Sequence, residues 1–288
     1  MPPASSPQTV GAALEAARRA LADHSETPGL DAQTLLAKAS GRDRSWILAH
    51  PEAQLLPGQI RHFRTSLHRC LSGEALPYVL GEWEFYGRTF QLTQDVLIPR
   101  PETELLVETA LDFLRHRPGI RLAADVGTGS GCVAVTLLAE TANLHALATD
   151  RSLAALRVAS QNAIAQKVRS RFHAVEMDLL AGLQRPIDLI CANLPYVSTA
   201  DLDHLPVGKR EPRLALDGGP DGLALTGRLL SDLPRCLAPG GRALLEIGAG
   251  QGPTLLSYLP EARPRLHAKG LADLAGHDRL MVIDRNAT

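Results

Sequence analysis

The segment that decides the fold is Ile187-Asp188-Leu189-Ile190-Cys191-Ala192-Asn193-Leu194-Pro195-Tyr196-Val197. Its first half is a short apolar run, which predicts a strand of a parallel sheet that is covered on both faces. The run ends at Asn193, and Pro195 then has a fixed φ and disfavours helical backbone at Leu194. The segment therefore predicts a buried strand that leads into a rigid, non-helical turn.

This turn can hold a planar group that carries an NH2. The oxygen of the Asn193 side chain can accept one N–H, and the backbone carbonyl of Leu194 can accept the other. Tyr196 adds an aromatic wall with a polar tip. The same residues are also compatible with an ordinary Asn-x-Pro turn at the end of a strand.

Strands and helices alternate on both sides of this segment. This rhythm predicts an α/β fold with a parallel, doubly wound sheet that binds its ligand at the carboxyl ends of the strands. The predicted strands are residues 122–126, 146–149, 172–177, 187–191 and 242–247, with two late candidates at 266–268 and 280–283. The predicted helices between them are residues 132–140, 152–167 and 223–237.

Residues 1–75 are predicted to form a separate small bundle of helices. Asp31 is a candidate cap for a helix that ends at Gly41, and Asp43 is a candidate cap for the next helix. A longer helix is expected after Pro57-Gly58. Its outer faces carry basic residues that suit either a solvated surface or a docking surface for an acidic partner: Arg61, His62, Arg64, His68 and Arg69.

Residues 76–97 are predicted to form a β-hairpin that connects the bundle to a second domain. The aromatic stretch Val79–Tyr86 predicts the first strand, and Thr89–Leu92 predicts the second. Gly87-Arg88 is the expected turn between them.

The second domain is predicted to span residues 98–288. It begins with Ile98-Pro99-Arg100-Pro101-Glu102-Thr103-Glu104, in which two prolines flank Arg100. The two glutamates suit the first turn of a helix, where the helix dipole favours acids. We expect this helix to run to about His116.

Composition excludes several classes of function. The chain has 288 residues, enough for about two domains, and its formal net charge is −1. We therefore expect no stable nucleic-acid partner, and no apolar run reaches membrane-spanning length. The ten histidines form no ligand-spaced cluster, so no metal is predicted. The four cysteines form no C-x-x-C pair, and no signal peptide is recognisable, which indicates free thiols in a cytoplasmic protein.

A glycine-rich segment, Ala124–Cys132, joins a predicted strand to a predicted helix. Its spacing is G-x-G-x-G, and Cys132 stands where a dinucleotide fingerprint has its third glycine. The glycines permit a tight turn that a ligand can approach closely. The pattern favours a smaller nucleoside cofactor without a pyrophosphate.

Acidic residues end the next two strands. Asp150 is placed to accept hydrogen bonds from both hydroxyls of a ribose. Asp178 is placed to accept from an adenine amino group, with Leu179 against the ring. A second glycine run, Gly248–Gly252, has no acid at the next strand end and is interpreted as a structural turn. Neither a hydrolase G-x-S-x-G elbow nor a phosphate-binding G-x-x-x-x-G-K-[ST] loop is present.

A resemblance to a known family rests on segments distributed over nearly the whole chain. These are Gly81-Glu82-Trp83-Glu84-Phe85-Tyr86-Gly87, Ile98 to Glu104, Asp125 to Cys132, Asn193 to Tyr196, Glu211-Pro212-Arg213-Leu214-Ala215-Leu216-Asp217-Gly218-Gly219 and Asp273-Leu274-Ala275-Gly276-His277-Asp278-Arg279. Together they resemble the class I S-adenosylmethionine-dependent methyltransferases. More narrowly, the chain resembles the HemK family, which methylates the side-chain amide of a glutamine in class-1 peptide release factors.

The resemblance implies a class I, Rossmann-like doubly wound sheet, with a helical N-terminal domain that engages the partner protein. The implied cofactor is S-adenosyl-L-methionine, which leaves as S-adenosyl-L-homocysteine. The implied partners are class-1 peptide chain release factors, and the protein is expected to be a monomer.

The resemblance also implies roles for individual residues. The methionine part of the cofactor would be held by Gly127, Thr128, Gly129, Ser130 and Gly131. The ribose would be bound by Asp150, and the adenine by Asp178 and Leu179. Catalysis and the grip on the glutamine would be carried by Asn193, Leu194, Pro195 and Tyr196, with Asn193 also at the cofactor. Pro99 to Glu104 would cover the site, with Arg100 at the substrate, and Asp217-Gly218-Gly219 would at most shape its rim.

One departure from the family concerns Leu194. The usual tetrapeptide is Asn-Pro-Pro-Tyr, and here Leu194 replaces its first proline. The backbone carbonyl is unaffected, and Pro195 still restricts Leu194, so the change reduces rigidity and leaves the chemistry intact.

Two other functions remain open on the sequence. Methyltransferases that act on adenine N6 or guanine N2 use a similar turn to grip an exocyclic NH2 of a flipped base. A catalytically silent adapter would instead bind its partner through the helical domain and bind no cofactor.

Overall fold

The computed structural model describes residues 8–117, 119, 122–259, 265–273 and 275–287. Contacts within the chain divide it into two compact units, with the boundary between Gly81 and Glu82. The first unit is helical, and the second contains a large mixed sheet. Within the described residues, no helix is both long enough and apolar enough to span a membrane.

Amphipathic helices build the first unit around a core of small and branched apolar side chains. Val10, Ala13 and Ala17 from the first helix are buried together with Leu35 and Leu36 from the second. Burial of such stripes stabilises helices that are too short to form alone. The helices are α1 (Val10–Ala20), α2 (Pro28–Ser40), α3 (Arg44–Ala49), α4 (Pro57–Leu71) and α5 (Leu76–Leu80).

The predicted helix ends are confirmed at Asp43 and Gly41 and wrong at Asp31. The Asp43 side chain accepts a hydrogen bond from the Trp46 N–H at 2.7 Å and so caps α3. Gly41 ends α2 in the left-handed region, with φ 70°. However, α2 begins before Asp31, at Pro28, because the fixed φ of proline suits the first helical position. Asp31 therefore lies inside the first turn.

The hairpin begins later than predicted. A strand was expected from Val79, but Leu76–Leu80 form the helix α5, which ends at Gly81 with φ 74°. Proline near the start and a left-handed glycine at the end are local signals for a helix, and they outweigh the aromatic composition. The first strand, β1, is therefore Glu82–Phe85.

The hairpin belongs to the second unit. β1 pairs antiparallel with β2 (Arg88–Gln91) across a turn at Tyr86 and Gly87. Both turn residues have positive φ, 52° and 66°, as a type I′ hairpin turn requires. Phe85 and Phe90 are buried in the core of this unit, which places the hairpin against its helices and sheet.

The second unit is built on a central sheet with helices on its faces. Its strands are β3 (Leu122–Val126), β4 (His145–Asp150), β5 (Phe172–Glu176), β6 (Ile187–Asn193), β7 (Leu237–Glu246), β8 (Leu266–Ala272) and β9 (Asp278–Arg285). Its helices are α6 (Thr103–His116), α7 (Cys132–Glu140), α8 (Leu153–Ala165), α9 (Thr199–Leu202), α10 (Ala224–Cys236) and α11 (Gly252–Ser257). Within the described residues the sheet has seven strands in the order β5-β4-β3-β6-β7-β9-β8. The predicted strands and helices are confirmed, with ends that differ by a few residues.

One strand departs from the predicted parallel sheet. Neighbours from β5 to β7 are parallel, as predicted, whereas β9 is antiparallel to both β7 and β8. The connection between β8 and β9 is only a few residues long, and a parallel pair needs a much longer crossover. The mixed sheet is thus a consequence of this short connection.

The register of the central strands brings their carboxyl ends to one edge of the sheet. Val126 of β3 lies opposite Thr149 of β4 on one side and Ala192 of β6 on the other. Asn193 at the end of β6 lies opposite Glu246 at the end of β7. Side chains at these strand ends therefore converge on one region, where ligands bind in open α/β sheets.

Candidate active site

A cleft that is open to solvent lies at this edge of the sheet. Most of the predicted site residues line it: Arg100, Gly127, Thr128, Gly129, Ser130, Asp150, Leu179, Asn193, Leu194 and Pro195. Three predicted residues are neighbours of lining residues and do not line the cleft themselves: Gly131, Asp178 and Tyr196.

The glycine turn (Gly127–Gly131) connects β3 to α7. The N–H groups of Gly127 and Thr128 both donate to the Thr149 carbonyl at 2.9 Å, which ties the turn to β4. The three glycines have φ of 72°, 53° and 80°, where only glycine is unstrained. A Cβ on Gly131 would lie 3.0 Å from the Ala159 Cβ, so Gly131 serves the close approach of α8.

Asp125 stabilises the glycine turn through hydrogen bonds to the turn and to the start of α7. Its buried carboxylate accepts hydrogen bonds from the Thr128 hydroxyl at 2.7 Å and from the Ala134 N–H at 3.1 Å. Burial raises the pKa of Asp125 to about 6, although these two bonds oppose the shift. The sequence segment quoted above contains Asp125, but its role in the turn becomes visible only in the structure.

Asp150 holds the other side of the glycine turn. It accepts hydrogen bonds from the Gly129 N–H at 3.0 Å and from the Ser152 N–H at 2.9 Å. A carboxylate has about four lone-pair positions, so acceptor capacity remains for ligand hydroxyls. Asp150 lines the cleft, as the sequence predicted for a ribose-binding acid.

The end of β5 has an unusual backbone. Leu179 is buried, lines the cleft and has a positive φ of 53°, which is rare for a branched side chain. Asp178 pairs with Arg228 at 2.7 Å, and the hydrogen bond from that guanidinium lowers the pKa of Asp178. The second carboxylate oxygen of Asp178 is buried and has no hydrogen-bond partner among the described residues. Strain next to an unpaired acceptor is typical of a ligand site.

The Asn193 turn (Asn193–Tyr196) lies opposite the glycine turn. The Asn193 amide nitrogen donates to the Thr103 hydroxyl at 2.9 Å, and that hydroxyl donates to the Glu246 carboxylate at 2.7 Å. With the nitrogen engaged, the amide oxygen is the atom left for a ligand. Thr103 belongs to the segment Pro99 to Glu104, which was predicted to cover the site. Glu246 was not predicted as a site residue, although a strand-end acid beside the central strand was a signal for it.

The Leu194 side chain is held by packing, which compensates for the absence of a proline ring at this position. Its side chain is only 4% exposed and lies in the core among apolar residues of β3 and β6. A Cβ on Gly127 would lie 3.1 Å from a Leu194 methyl group, so the side chain lies directly against the glycine turn. The two turns are thus in contact through Leu194.

The backbone of the Asn193 turn is contacted on its other side by the segments that contain Gly218, Gly222 and Gln251. The Tyr196 carbonyl accepts a hydrogen bond from the Gln251 side chain at 3.0 Å. A Cβ on Gly222 would lie 2.3 Å from that carbonyl, and a Cβ on Gly218 would lie 2.6 Å from the Pro195 carbonyl. Gln251 belongs to the second glycine run, so this run contacts the Asn193 turn.

Arg100 is anchored rather than free in the cleft. Its guanidinium forms an ion pair with Glu211, whose carboxylate also accepts from the Ile98 N–H at 3.1 Å. Glu211 is nearly buried and is the first residue of the segment that ends at Gly219. Two segments quoted for the family resemblance therefore meet at this ion pair.

The chain matches two family models. Residues 12–81 match the model described as the PrmC N-terminal domain, and residues 102–208 match the model described as the methyltransferase small domain. The first match corresponds to the helical unit, and the second lies within the unit that contains the sheet.

Curated relatives align with the chain over most of its length. It is 41% identical to a release factor glutamine methyltransferase of Cereibacter sphaeroides over 253 residues, which cover 87% of this chain and 89% of the relative. It is 36% identical to a protein of the same name from Bradyrhizobium diazoefficiens over 288 residues, which cover 97% of both chains.

Solved structures share the fold at low sequence identity. The catalytic domain of human METTL16 in complex with a MAT2A 3′UTR hairpin matches with a TM-score of 0.56 and 18% identity, covering 76% of this chain and 82% of that one. The N-terminal domain of human METTL16 in complex with SAH matches with a TM-score of 0.51 and 16% identity, with the same coverage. At this identity, the likeness concerns the fold alone.

Proposed function

The chain belongs to the family of release factor glutamine methyltransferases, and from this premise we propose its reaction. It transfers a methyl group from S-adenosyl-L-methionine to the side-chain amide nitrogen of a glutamine in class-1 peptide chain release factors. The observation that carries the proposal is the Asn193 amide, which lines the same cleft as Gly129 and Asp150 and has its nitrogen engaged by Thr103.

The residues present fit the proposed cofactor. Gly129 lines the cleft, and a Cβ there would meet only the Gly127 carbonyl oxygen at 4.0 Å, so the backbone at this point is accessible to a ligand. Asp150 offers acceptor positions for ribose hydroxyls. Asp178 precedes the lining residue Leu179, and its carboxylate oxygen without a hydrogen-bond partner among the described residues is the acceptor proposed for the adenine amino group. Leu179 supplies an apolar surface for the ring. When bound, the cofactor supplies an electrophilic methyl group on a sulfonium.

The Asn193 turn would hold the glutamine. The Asn193 side-chain oxygen accepts one N–H of the substrate amide, and the Leu194 carbonyl accepts the other. The two hydrogen bonds would fix the orientation of the substrate nitrogen. The nitrogen lone pair could then face the part of the cleft that is proposed to hold the cofactor. Pro195 and the buried Leu194 side chain keep the second acceptor in place.

Positioning and electrostatics account for the chemistry that this turn can supply. An amide nitrogen is a poor nucleophile because its lone pair is delocalised. Alignment of the reacting groups can contribute about 7–11 kcal/mol. The two acceptors bind more strongly as the nitrogen becomes cationic, which stabilises the transition state selectively. The nitrogen–methyl bond would form as the sulfur–methyl bond breaks, which leaves S-adenosyl-L-homocysteine. The methylated nitrogen is then acidic and would lose its extra proton to water, since the cleft is open to solvent.

The helical unit is proposed to engage the release factor. Its match to the PrmC N-terminal domain and the exposed basic residues of α4 support this role. The proposed functional division is residues 1–75, 76–97 and 98–288, and the contacts within the chain place the boundary between the two compact units after Gly81. The four cysteines are free, which supports a cytoplasmic location.

Mass spectrometry of a co-expressed release factor tests the proposal. With the unsubstituted protein, the expected result is one added methyl group on a release factor peptide that contains glutamine. With the Asn193→Ala variant, no added methyl group is expected. Incubation with tritiated cofactor and total RNA or DNA is the parallel measurement. Label in nucleic acid and none in release factor would support the exocyclic-amine alternative, and absence of cofactor binding by calorimetry would support the adapter.

A further inference from the structure

We propose that Thr103 and Glu246 are positioning residues that determine which end of the Asn193 amide faces the substrate. The inference rests on the proposed function, because it concerns the same turn. Neither residue is needed to explain the fold of β6, which is already paired on both sides along its length.

The polarity of the hydrogen-bond chain follows from its last member. A carboxylate can only accept hydrogen bonds, so the Thr103 hydroxyl must donate its single hydrogen to Glu246, at 2.7 Å. The Thr103 oxygen is then left as an acceptor for its other neighbour. Asn193 lies 2.9 Å from this oxygen and must present its NH2 group there. The amide oxygen consequently faces the other way, as acceptance from a glutamine N–H requires.

The hydrogen bonds from Asn193 to Thr103 and from Thr103 to Glu246 connect β6, α6 and β7, and the Thr103 and Glu246 side chains are shielded from solvent. Thr103 is the first residue of α6 and is 2% exposed, whereas Glu246 ends β7 and is 3% exposed. Glu246 is absent from the described residues that line the cleft, and Thr103 is present among them. Glu246 therefore acts on the substrate only through Asn193, which it reaches by way of Thr103 and by a hydrogen bond of its own.

Protonation of Glu246 removes the constraint. A protonated carboxyl group can donate to Thr103, which can then donate to the Asn193 oxygen, and the amide is free to turn over. An inverted Asn193 would direct N–H toward the N–H of the substrate. Burial raises the pKa of Glu246 to about 7, with hydrogen bonds from Thr103 and Asn193 opposing the shift.

The other groups that act on Glu246 come from each neighbouring element. Glu102 before α6 raises its pKa, and Arg279 on β9 lowers it. Tyr196 in the Asn193 turn and Cys132 on α7 also feel its charge, and burial keeps the pKa of both above their ordinary values. The shift on Glu246 is upward, so the ionised form that orients Asn193 predominates only above about pH 7. Turnover is expected to fall as the pH drops through this value.

Variants of Thr103 test the relay in the full chain with release factor as substrate. Thr103→Val removes the hydroxyl at constant shape and is expected to lower kcat by about 10- to 100-fold, because alignment is lost. Thr103→Ser keeps the hydroxyl and should restore kcat to within about threefold of the natural chain. Thr136→Val is the matched control, because Thr136 is buried and its hydroxyl has no hydrogen-bond partner among the described residues.

The pH profile of the Glu246→Gln variant tests the role of Glu246, the second positioning residue. The natural chain should show an acid limb near pH 7, and Glu246→Gln should have a lower kcat with no such limb, since its amide does not ionise in this range. Cofactor affinity by calorimetry and the melting temperature are measured alongside. A purely structural role would lower both and would leave the acid limb in place.

The outcomes separate this inference from the proposed function. If the natural chain methylates release factor, and Thr103→Val and Glu246→Gln retain its kcat and pH profile, the inference is wrong and the function stands. If the natural chain itself transfers no methyl group to release factor, the proposed function is wrong. A loss of kcat in Thr103→Val that Thr103→Ser does not restore would also contradict the relay.

Discussion

The glycine turn is held by residues close to it in sequence, whereas the Asn193 turn is held by residues far from it. Hydrogen bonds from Thr128 to Asp125 and from Gly129 to Asp150 span 3 and 21 residues. Those from Asn193 to Thr103 and from Gln251 to the Tyr196 carbonyl span 90 and 55 residues. The first turn is thus largely a local structure, and the second depends on the assembled fold.

This difference has a consequence for the chemistry. Binding of a cofactor tolerates a modest loss of precision, because several contacts share the affinity. Transfer of a methyl group does not, because a displacement of about 1 Å can cost about 100-fold in rate. The turn proposed to hold the substrate is accordingly the one braced from several sides by remote residues. Substitutions on the two turns should therefore affect different kinetic quantities.

The largest expected effect is on the substrate side. Asn193→Ala removes the acceptor proposed for the substrate N–H and should lower kcat by about 100- to 1000-fold. Cofactor affinity should stay nearly unchanged, because the glycine turn and Asp150 are untouched. Single-turnover methylation of release factor and calorimetry with S-adenosyl-L-methionine measure the two quantities. A variant with near-normal turnover would remove Asn193 from the proposed mechanism.

The second effect is on the cofactor side. Asp150→Ala removes the acceptor of the Gly129 N–H and of the proposed ribose hydroxyls. The dissociation constant for S-adenosyl-L-methionine should rise by about 10- to 100-fold, as expected for loss of hydrogen bonds to a charged group. At saturating cofactor, kcat should recover most of its value. A lowered kcat with unchanged affinity would contradict the separation of the two sides.

A third prediction concerns support from a distance. Gly222→Ala would bring a Cβ within 2.3 Å of the Tyr196 carbonyl, so the Asn193 turn must shift. We expect kcat to fall about tenfold while cofactor affinity is retained. Gly250→Ala is the matched control: Gly250 has a similar φ, 79° against 75°, but a Cβ there meets nothing within 4 Å. Equal kinetic losses in both variants would assign the effect to backbone strain alone.

The smallest effect is expected where the two turns touch. Leu194→Pro restores the usual residue of the family and should change kcat by less than about threefold, since the carbonyl is kept and the backbone is restricted. Leu194→Ala instead leaves a cavity beside Gly127 and should lower the free energy of unfolding by about 2–5 kcal/mol. Chemical denaturation and release factor methylation distinguish the two. A Leu194→Ala variant as stable as the natural chain would show that Leu194 packing does not brace the turn.

Sequence alone was sufficient where the signals are local. Apolar runs located the strands of the sheet, and Gly41 and Asp43 located two helix ends, because capping and burial depend on neighbouring residues. The glycine spacing before Cys132 and the acid at Asp150 likewise located one wall of the cleft, which we propose holds the cofactor. Asp31 and Val79 were misassigned, because nearby prolines and a left-handed glycine decided those segments.

Tertiary structure alone decided how the Asn193 turn is held. Register places Asn193 opposite Glu246, and the start of α6 brings Thr103 between them. No periodicity connects residues so far apart, since their proximity arises only when the strands pair and the helix packs on the sheet. The sequence therefore identified residue types that can bind an amide. It did not determine which end of the Asn193 side-chain amide faces the cleft, because that orientation depends on the hydrogen-bond partners that the fold supplies.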